Sequence, residues 1–115
     1  MHVGITPGYR GVHGAYWALV NNDKAHAGVT IHYIDEGIDT GKVIAQDTIS
    51  ITAKDNFVTY PYLQIAKGLP LIIEAIKAIK NGERPGSIPL VTFSKLWSHP
   101  TLSEYIKNWL TKGIK

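Results

Sequence analysis

Only two segments of the chain carry a convincing strand pattern, and this shortage of strands is the feature that most constrains the fold. Residues 28–34 are β-branched and aromatic with alternating polarity, and residues 43–51 contain four Val or Ile residues. A two-stranded hairpin is at best marginally stable by itself, and its free edges expose unpaired backbone groups. We therefore expect the chain to be part of a larger α/β sheet, with a preceding segment or another chain supplying the missing strands.

A long helical pattern follows the second strand. Asp55 is a candidate N-cap for a helix over residues 55–80. Gly68 and Pro70 interrupt this pattern, so we expect a kink there or a break into two helices.

Two shorter helices are predicted at the two ends of the chain. Residues 12–22 show apolar residues near helical spacing. The last helix, over residues 101–112, begins with a capping box formed by Thr101 and Glu104 and carries an apolar stripe. Residues 83–100 are rich in proline and are predicted to be an extended connection. The expected order is a helix, a long-looped β-hairpin, a kinked long helix and a C-terminal amphipathic helix.

The composition is that of an ordinary globular domain. At 115 residues, with 44% hydrophobic and 18% charged residues, the chain suits one domain, which we assign to residues 1–115. No segment approaches the run of about 18 apolar residues that a membrane span needs. The absence of cysteine excludes disulfides and thiolate metal sites and leaves the compartment open, so a cytoplasmic location is the default expectation.

The net charge of +3 is distributed unevenly along the chain. From Lys77 onward there are seven basic and two acidic residues, whereas the first 76 residues hold five basic and seven acidic ones. A basic tail can attract nucleic acid or phosphorylated substrates. Because no run of adjacent Lys or Arg occurs, a solvated helix face is the favoured interpretation, and nucleic acid is not a predicted partner.

The connection between the two strands is unusually long and acidic. It spans eight residues, 35–42, where hairpins use about two to five, and it contains Asp35, Glu36 and Asp39. A charged, glycine-flanked loop on a rigid strand pair suits binding or catalysis. From spacing alone we favour a solvated turn in which Asp35 or Asp39 caps backbone N–H groups. No established metal-ligand spacing is present, so we predict no metal site, with a hard cation on these carboxylates as a minor alternative.

Two histidines and one arginine are further candidates for chemistry. His2 lies at the start of a Gly- and Pro-rich segment, and His32 lies on the strand that leads into the acidic loop. An imidazole near a carboxylate can act as a general acid or stabilise an oxyanion, although His32 also suits a partly exposed strand face. Arg10 precedes a glycine and the first helix, where it can hold an anion or pair with a loop carboxylate.

Two motifs, in this order and at this separation, carry a family resemblance. The first is HVGITPGYRG at residues 2–11, and the second joins GVTIH at residues 28–32 to DEGIDTG at residues 35–41. Together they resemble the 10-formyltetrahydrofolate-dependent formyltransferases, over roughly residues 2–51. The resemblance implies a partial Rossmann-like α/β fold, 10-formyltetrahydrofolate as the formyl donor and a small-molecule amine as the acceptor.

The resemblance also implies a reaction centre. The family's Asn-x-His pair places its His on His2, and the Asp that follows the long loop falls on Asp39. The family Asn would fall immediately before Met1. A protonated His2 would donate a hydrogen bond to the tetrahedral oxyanion. Asp39 would raise the pKa of His2, keep the ring charged, and relay the proton of the amine through water.

The remaining site residues follow from the same resemblance. The folate pocket would be lined by the loop residues Ile34, Asp35, Glu36, Gly37 and Ile38. The acceptor would be bound by Tyr9, Arg10 and Gly11, a sequence closer to the tRNA and sugar enzymes of the family than to the purine enzyme. The usual His-Pro-Ser is His2-Val3-Gly4 here, which leaves the identity of the acceptor open.

Three interpretations remain open on the sequence. The favoured one is a formyltransferase domain with weak turnover, because losing one oxyanion donor costs on the order of a hundredfold in rate. A folate-dependent hydrolase, with water in place of the amine, fits the same residues. A non-catalytic remnant that binds or self-associates through strand edges, or that pairs with a separate N-terminal half, is the alternative outside the enzymes.

Overall fold

The fold of the computed structural model, which describes residues 1–115, combines two strand pairs with three helices. In chain order the elements are β1 (Arg10–Gly11), α1 (Gly14–Val20), β2 (Gly28–His32), β3 (Val43–Thr48), α2 (Tyr60–Lys80), β4 (Leu96–Trp97) and α3 (Leu102–Lys112). Strands β2 and β3 are antiparallel, with a register irregularity between Ile31 and His32, and β1 pairs with β4 in parallel. The α/β class predicted from the sequence is confirmed.

The β2–β3 hairpin is covered on both faces. On one face, Thr30 Oγ1 accepts a hydrogen bond from the Thr6 amide at 3.1 Å and donates one to the Gly4 carbonyl at 2.7 Å. On the other face, α2 packs closely through Gly68. A β-carbon at Gly68 would lie 2.9 Å from Cγ2 of Val29, so only glycine allows this approach. The amino-terminal segment and α2 therefore hold the hairpin between them.

Both edges of the hairpin receive a partner from the chain itself. His2 and Thr30 exchange two backbone hydrogen bonds, of 2.8 and 2.9 Å, along the edge of β2 that β3 leaves free. Ser87 donates a hydrogen bond to the Val43 carbonyl at 2.9 Å, beside β3. Each edge of the hairpin therefore has a local backbone contact from the chain itself. These contacts add no further strand to the sheet, which remains two-stranded.

Helix α2 runs unbroken through Pro70, so of the two outcomes expected there the break into two helices does not occur. Pro70 cannot donate the usual backbone hydrogen bond, and the packing of α2 against the hairpin offsets that loss. Gly68 is a point of close approach to β2 and not a helix end. Neither this helix nor any other in the chain combines the length and the apolar character needed to cross a membrane.

The start of α2 also differs from the sequence prediction. Its N-cap residue is Thr59, and Asp55 does not cap the helix. Asp55 Oδ2 instead accepts a hydrogen bond from the Thr52 amide at 2.8 Å, and its Oδ1 accepts one from the Thr59 hydroxyl at 3.2 Å. The carboxylate therefore closes the turn that precedes the helix. The same residue types cap turns and helices, so the sequence pattern placed the start of α2 too early.

The C-terminal third of the chain closes the main core. The core residues are Ile5, Tyr9, Ala15, Tyr16, Trp17, Ala18, Val20, Ala27, Ile49, Tyr60 and Val91. Trp97, in β4, stacks on Trp17 with 4.9 Å between the ring centroids. β4 lies within the segment that the sequence predicts to be a connection without strands. Helix α3 begins at the predicted capping box, in which Thr101 Oγ1 accepts a hydrogen bond from the Glu104 amide at 3.2 Å.

Candidate active site

The first half of the acidic loop is a solvated turn. The Tyr33 amide donates to the Lys42 carbonyl at 3.0 Å and closes the base of the loop. Asp35 Oδ1 accepts hydrogen bonds from the Thr40 hydroxyl at 2.6 Å and from the Gly37 amide at 3.0 Å. These two hydrogen bonds, from Thr40 first and Gly37 second, lower the pKa of Asp35. Asp35 therefore plays the local capping role expected from spacing alone.

Asp39, in the same loop, turns inward instead. Its backbone takes a left-handed conformation with φ of 53°. Its Oδ2 accepts a 2.8 Å hydrogen bond from the Gly11 amide and lies 3.4 Å from Nδ1 of His2. Asp39 therefore ties the loop to the amino-terminal segment. The structure brings together the two residues that the family resemblance places in the reaction centre.

The imidazole of His2 is held at both nitrogens. Its Nε2 donates to the backbone carbonyl of Tyr9 at 2.8 Å, and its Nδ1 faces Asp39. The ring is 7% exposed, and burial lowers the pKa of His2. The hydrogen bond to Tyr9 and the charge of Asp39 raise this pKa, but by less than burial lowers it. The expectation that Asp39 keeps the ring charged is therefore wrong, because it left out the cost of burying an imidazolium.

His32 faces the other oxygen of the same carboxylate, and its ring lies edge-on to that of His2, with 6.4 Å between the centroids. Its Nε2 is 3.8 Å from Oδ1 of Asp39, and its Nδ1 donates to the Tyr33 carbonyl at 2.7 Å. The His32 side chain is 10% exposed, so its strand face is largely buried and is open only at a cleft beside the long loop. This position of His32 could have been predicted from strand alternation. Residues 30 and 32 point to the same face of the strand, and Thr30 contacts the segment that carries His2.

The three residues assigned to the acceptor have different surroundings. Tyr9 is 1% exposed, and its hydroxyl donates to Asp23 Oδ2 at 2.6 Å, so its side chain belongs to the core. Burial, followed by the hydrogen bond and charge of Asp23, raises the pKa of Tyr9. Arg10 donates from Nη1 to the Ile38 carbonyl at 3.2 Å, and so ties the loop through its backbone and not through a carboxylate. Gly11 supplies the amide that holds Asp39.

An open cleft of about 530 Å³ lies beside this assembly. Its lining consists of Met1, His32, Ile34, Asp35, Gly37, Ile38, Asp39 and Ile72. Four of the five loop residues expected to bind folate are among them, and the exposed Glu36 is not. Ile34 and Ile38 are 94% and 59% exposed, so the cleft offers apolar surface beside backbone amides and carbonyls. This combination suits a flat heterocycle with polar edges.

A second, smaller cleft of about 210 Å³ also borders Asp39, and Thr6, Pro7, Ser87 and Pro89 are among the residues that line it. Asp39 lines both clefts. No three His, Asp or Glu side chains converge in a way that could hold a metal ion. The arrangement therefore places one carboxylate, which faces two imidazoles, at the border of both clefts.

Comparison with known proteins identifies a family for the chain. The model of the Formyl transferase family matches residues 1–67. Methionyl-tRNA formyltransferase from Thermodesulfovibrio yellowstonii is 42% identical over 82 residues, which are 71% of this chain and 26% of that protein. GDP-perosamine N-formyltransferase from Brucella melitensis is 30% identical over 86 residues, which are 75% of this chain and 32% of that protein.

A solved structure shares the fold over nearly the whole chain. The formyltransferase PseJ from Anoxybacillus kamchatkensis, in complex with UDP-4,6-dideoxy-4-formamido-L-AltNAc and tetrahydrofolate, superimposes with a TM-score of 0.70 at 28% identity. The match covers 97% of this chain and 57% of that one. The chain spans between about a quarter and a third of the length of the curated relatives named above.

Proposed function

The chain belongs to the formyl transferase family, and from this membership we propose that it forms the donor side of a formyl transfer reaction. The formyl group of 10-formyltetrahydrofolate is the group transferred, and an amine is the acceptor. The observation that carries the proposal is the contact between His2 and Asp39 at the edge of a cleft lined by the long loop. The family resemblance selects the same two residues, and their contact brings them together beside the cleft.

Proton transfer at an acyl centre is the chemistry that these residues support. When an amine nitrogen attacks the formyl carbon, it has to lose a proton as the new C–N bond becomes an amide. The Asp39 carboxylate accepts that proton, directly or through one water. The Gly11 amide holds Asp39 in position, and the Nε2 hydrogen bond to the Tyr9 carbonyl keeps the His2 ring beside it.

The long loop is the element that we assign to the folate donor. Ile34 and Ile38 present apolar surface to the pterin ring, and the backbone around Gly37 presents amide and carbonyl groups to its polar edge. The low pKa of Asp35, held down by Thr40 and Gly37, keeps a charge at the tip of the loop, where it fixes the turn. Arg10 supports the same loop from behind, through the Ile38 carbonyl.

The amine acceptor enters, in this proposal, from the smaller cleft that borders Asp39. Two of the relatives carry the names of different acceptors, a tRNA-linked amino acid and a nucleotide-linked sugar. The proposal therefore specifies the acceptor by its reacting group, which is an amine. Arg10 and Gly11 contribute to this side by fixing where the loop and Asp39 sit.

We further propose that another polypeptide segment covers the outer face of α2. Leu69, Ile73 and Ile76 on this face are 49%, 50% and 59% exposed, although α2 is buried against the hairpin on its other side. A helix that is apolar on both faces is typical of a buried position between two layers. An N-terminal half of the domain, or a second copy of the chain, would bury this face.

The experiment that tests the proposed function follows the release of tetrahydrofolate from 10-formyltetrahydrofolate. The chain is incubated with methionyl-tRNA, with a nucleotide-linked amino sugar, or with no amine. We expect a formylated amine from at least one acceptor. Asp39→Asn should lower the rate on the order of a hundredfold or more, because it removes the proton acceptor.

The matched control is Asp47→Asn, which changes an exposed carboxylate whose Oδ2 lies 3.5 Å from Lys67 Nζ and should leave the rate unchanged. Release of tetrahydrofolate at the same rate without any amine would identify a hydrolase instead. Absence of both release and folate binding would identify a non-catalytic remnant.

A further inference from the structure

The Asp39 carboxylate faces two imidazoles, and of the two only His32 lines the open cleft. His2 approaches Oδ2 at 3.4 Å, and His32 approaches Oδ1 at 3.8 Å. We propose that His32 is a positioning residue of this site that exchanges the proton of the amine with Asp39. The proposal rests on the proposed function and adds a residue and a proton path to it.

The tautomer of His32 follows from its hydrogen bond. Nδ1 lies 2.7 Å from the backbone carbonyl of Tyr33, which can only accept, so Nδ1 carries a hydrogen. In the neutral ring, Nε2 therefore has a bare lone pair, and this lone pair faces Asp39. A bare nitrogen beside a carboxylate gains a favourable contact only when a proton lies between the two groups. The geometry thus prepares Nε2 to take up a proton that Asp39 has received.

His2 also presents a bare nitrogen, Nδ1, to Asp39, but its ring does not line the open cleft. Its Nε2 donates to the Tyr9 carbonyl at 2.8 Å, and burial disfavours a charge on the ring. His32 has no second hydrogen-bond partner at Nε2 and lines the open cleft. A proton on His32 can therefore reach the cleft, whereas one on His2 is enclosed by the protein.

The charged groups around His32 are few. From the loop it faces Asp39 and Asp35, from the amino-terminal segment it faces His2, and α2 contributes only the apolar Ile72 to the cleft. Of these groups, Asp39 is the carboxylate in contact with Nε2, at 3.8 Å, so it is the group with which His32 exchanges the proton.

The proton balance of the reaction closes through this path. The amine forms a bond to the formyl carbon, and its proton passes to Asp39 and then to Nε2 of His32. When the bond between the formyl carbon and N10 of the folate breaks, N10 takes the bonding electron pair and receives the same proton. The products are a formamide and tetrahydrofolate, and no oxidant, reductant or further co-reactant is needed.

The first test reads the ring nitrogens of the intact chain by ¹⁵N NMR and does not depend on turnover. We expect the neutral His32 ring to be the Nδ1–H tautomer. Asp39→Asn should shift the Nε2 signal of His32, while Glu36→Gln, in the same loop but outside the cleft, should not. The proposal would be overturned if the neutral ring is the Nε2–H tautomer, or if the Nε2 signal of His32 is the same in Asp39→Asn as in the wild type. Either result would count against it even if the chain binds folate and transfers formyl groups.

The second test compares pH–rate profiles of formyl transfer for the wild type, His32→Gln and His26→Gln. His32→Gln should lower the rate by about 10- to 100-fold and remove one limb of the profile, because a proton-exchanging group contributes on this scale. His26→Gln removes an imidazole from another His–Asp contact, 2.7 Å from Asp23, and should leave the profile unchanged. A uniform rate loss with an unchanged profile would indicate a merely structural role. If the wild type neither binds folate nor turns over, the proposed function fails, and the NMR result alone decides the coupling of His32 to Asp39.

Discussion

Oδ2 of Asp39 lies 3.4 Å from Nδ1 of His2, so the tip of the long loop meets the amino-terminal segment. The contact depends on the hydrogen bonds that hold each of the two residues in place. Asp39 is held by the Gly11 amide, and His2 is held by β2 through its backbone and by the Tyr9 carbonyl through its ring. A loop of this length and exposure would otherwise be free to sample many conformations. The pairing gives it one conformation and places a carboxylate at the border of two clefts.

Stability should decrease in mild acid. Burial lowers the pKa of His2 and of His13 below the ordinary value of 6.5. As the pH falls below about 6.5 the unfolded chain binds protons that the folded chain resists, so the free energy of unfolding decreases. Thermal unfolding at about pH 7.5 and about pH 5 should show a lower midpoint in acid.

His13→Asn provides the control for this dependence. His13 has φ of 56°, a conformation that Asn tolerates well, so the substitution removes a titrating ring with little backbone strain. The loss of stability between the two pH values should then be smaller. A midpoint that stays constant or rises in acid would contradict the assignment of neutral, buried imidazoles.

Tyr9→Phe should act on stability and not on folate binding. The substitution removes the hydrogen bond from the Tyr9 hydroxyl to Asp23, and a hydrogen bond to a charged partner contributes about 1.5–3 kcal/mol. Urea denaturation should show a loss of this size, and the affinity for 5-formyltetrahydrofolate should stay the same. Unchanged stability with lost binding would instead place the Tyr9 side chain in the ligand site.

Arg10→Lys should loosen the loop with little effect on folding. Lysine cannot reproduce the two directions in which Arg10 donates, to the Ile38 carbonyl and to the Ser94 hydroxyl, each at 3.2 Å. We expect the affinity for 5-formyltetrahydrofolate to fall by about 3- to 10-fold, because ordering the loop then costs part of the binding energy. Hydrogen exchange should rise at residues 36–39. Arg84→Lys, an exposed arginine without a hydrogen bond, is the control and should change neither measurement.

Features that depend on neighbouring residues were predictable from the sequence. The two strands form where alternation and β-branching predict them, and α3 begins at the Thr101–Glu104 capping box. The role of Asp35 is of the same kind, because its partners Gly37 and Thr40 lie within the same loop. In each case the interacting residues lie within a few positions of one another, so the local sequence pattern includes all of them.

Features that depend on distant contacts were not predictable in this way. Asp39 has the same chemistry as Asp35 and lies in the same loop, but its partner is the Gly11 amide, far away in the sequence. β4 consists of two residues in the predicted extended connection, and its parallel partner β1 lies near the amino end of the chain, at Arg10–Gly11. The family resemblance correctly predicted that Asp39 contacts His2. The prediction of a charged His2 was wrong because the pKa of this ring depends mainly on burial, which is a property of the whole fold.

The most direct measurement of the central claim is an NMR titration of the ¹⁵N-labelled chain with 5-formyltetrahydrofolate. The account predicts saturable shifts of the amides of His2, His32, Gly37 and Asp39, while the amides of α3 stay unchanged. In Asp39→Asn, the shifts around His2 should be reduced, because the link between the loop and the amino-terminal segment is lost. The absence of saturable shifts, or shifts confined to a surface away from this cleft, would contradict the account.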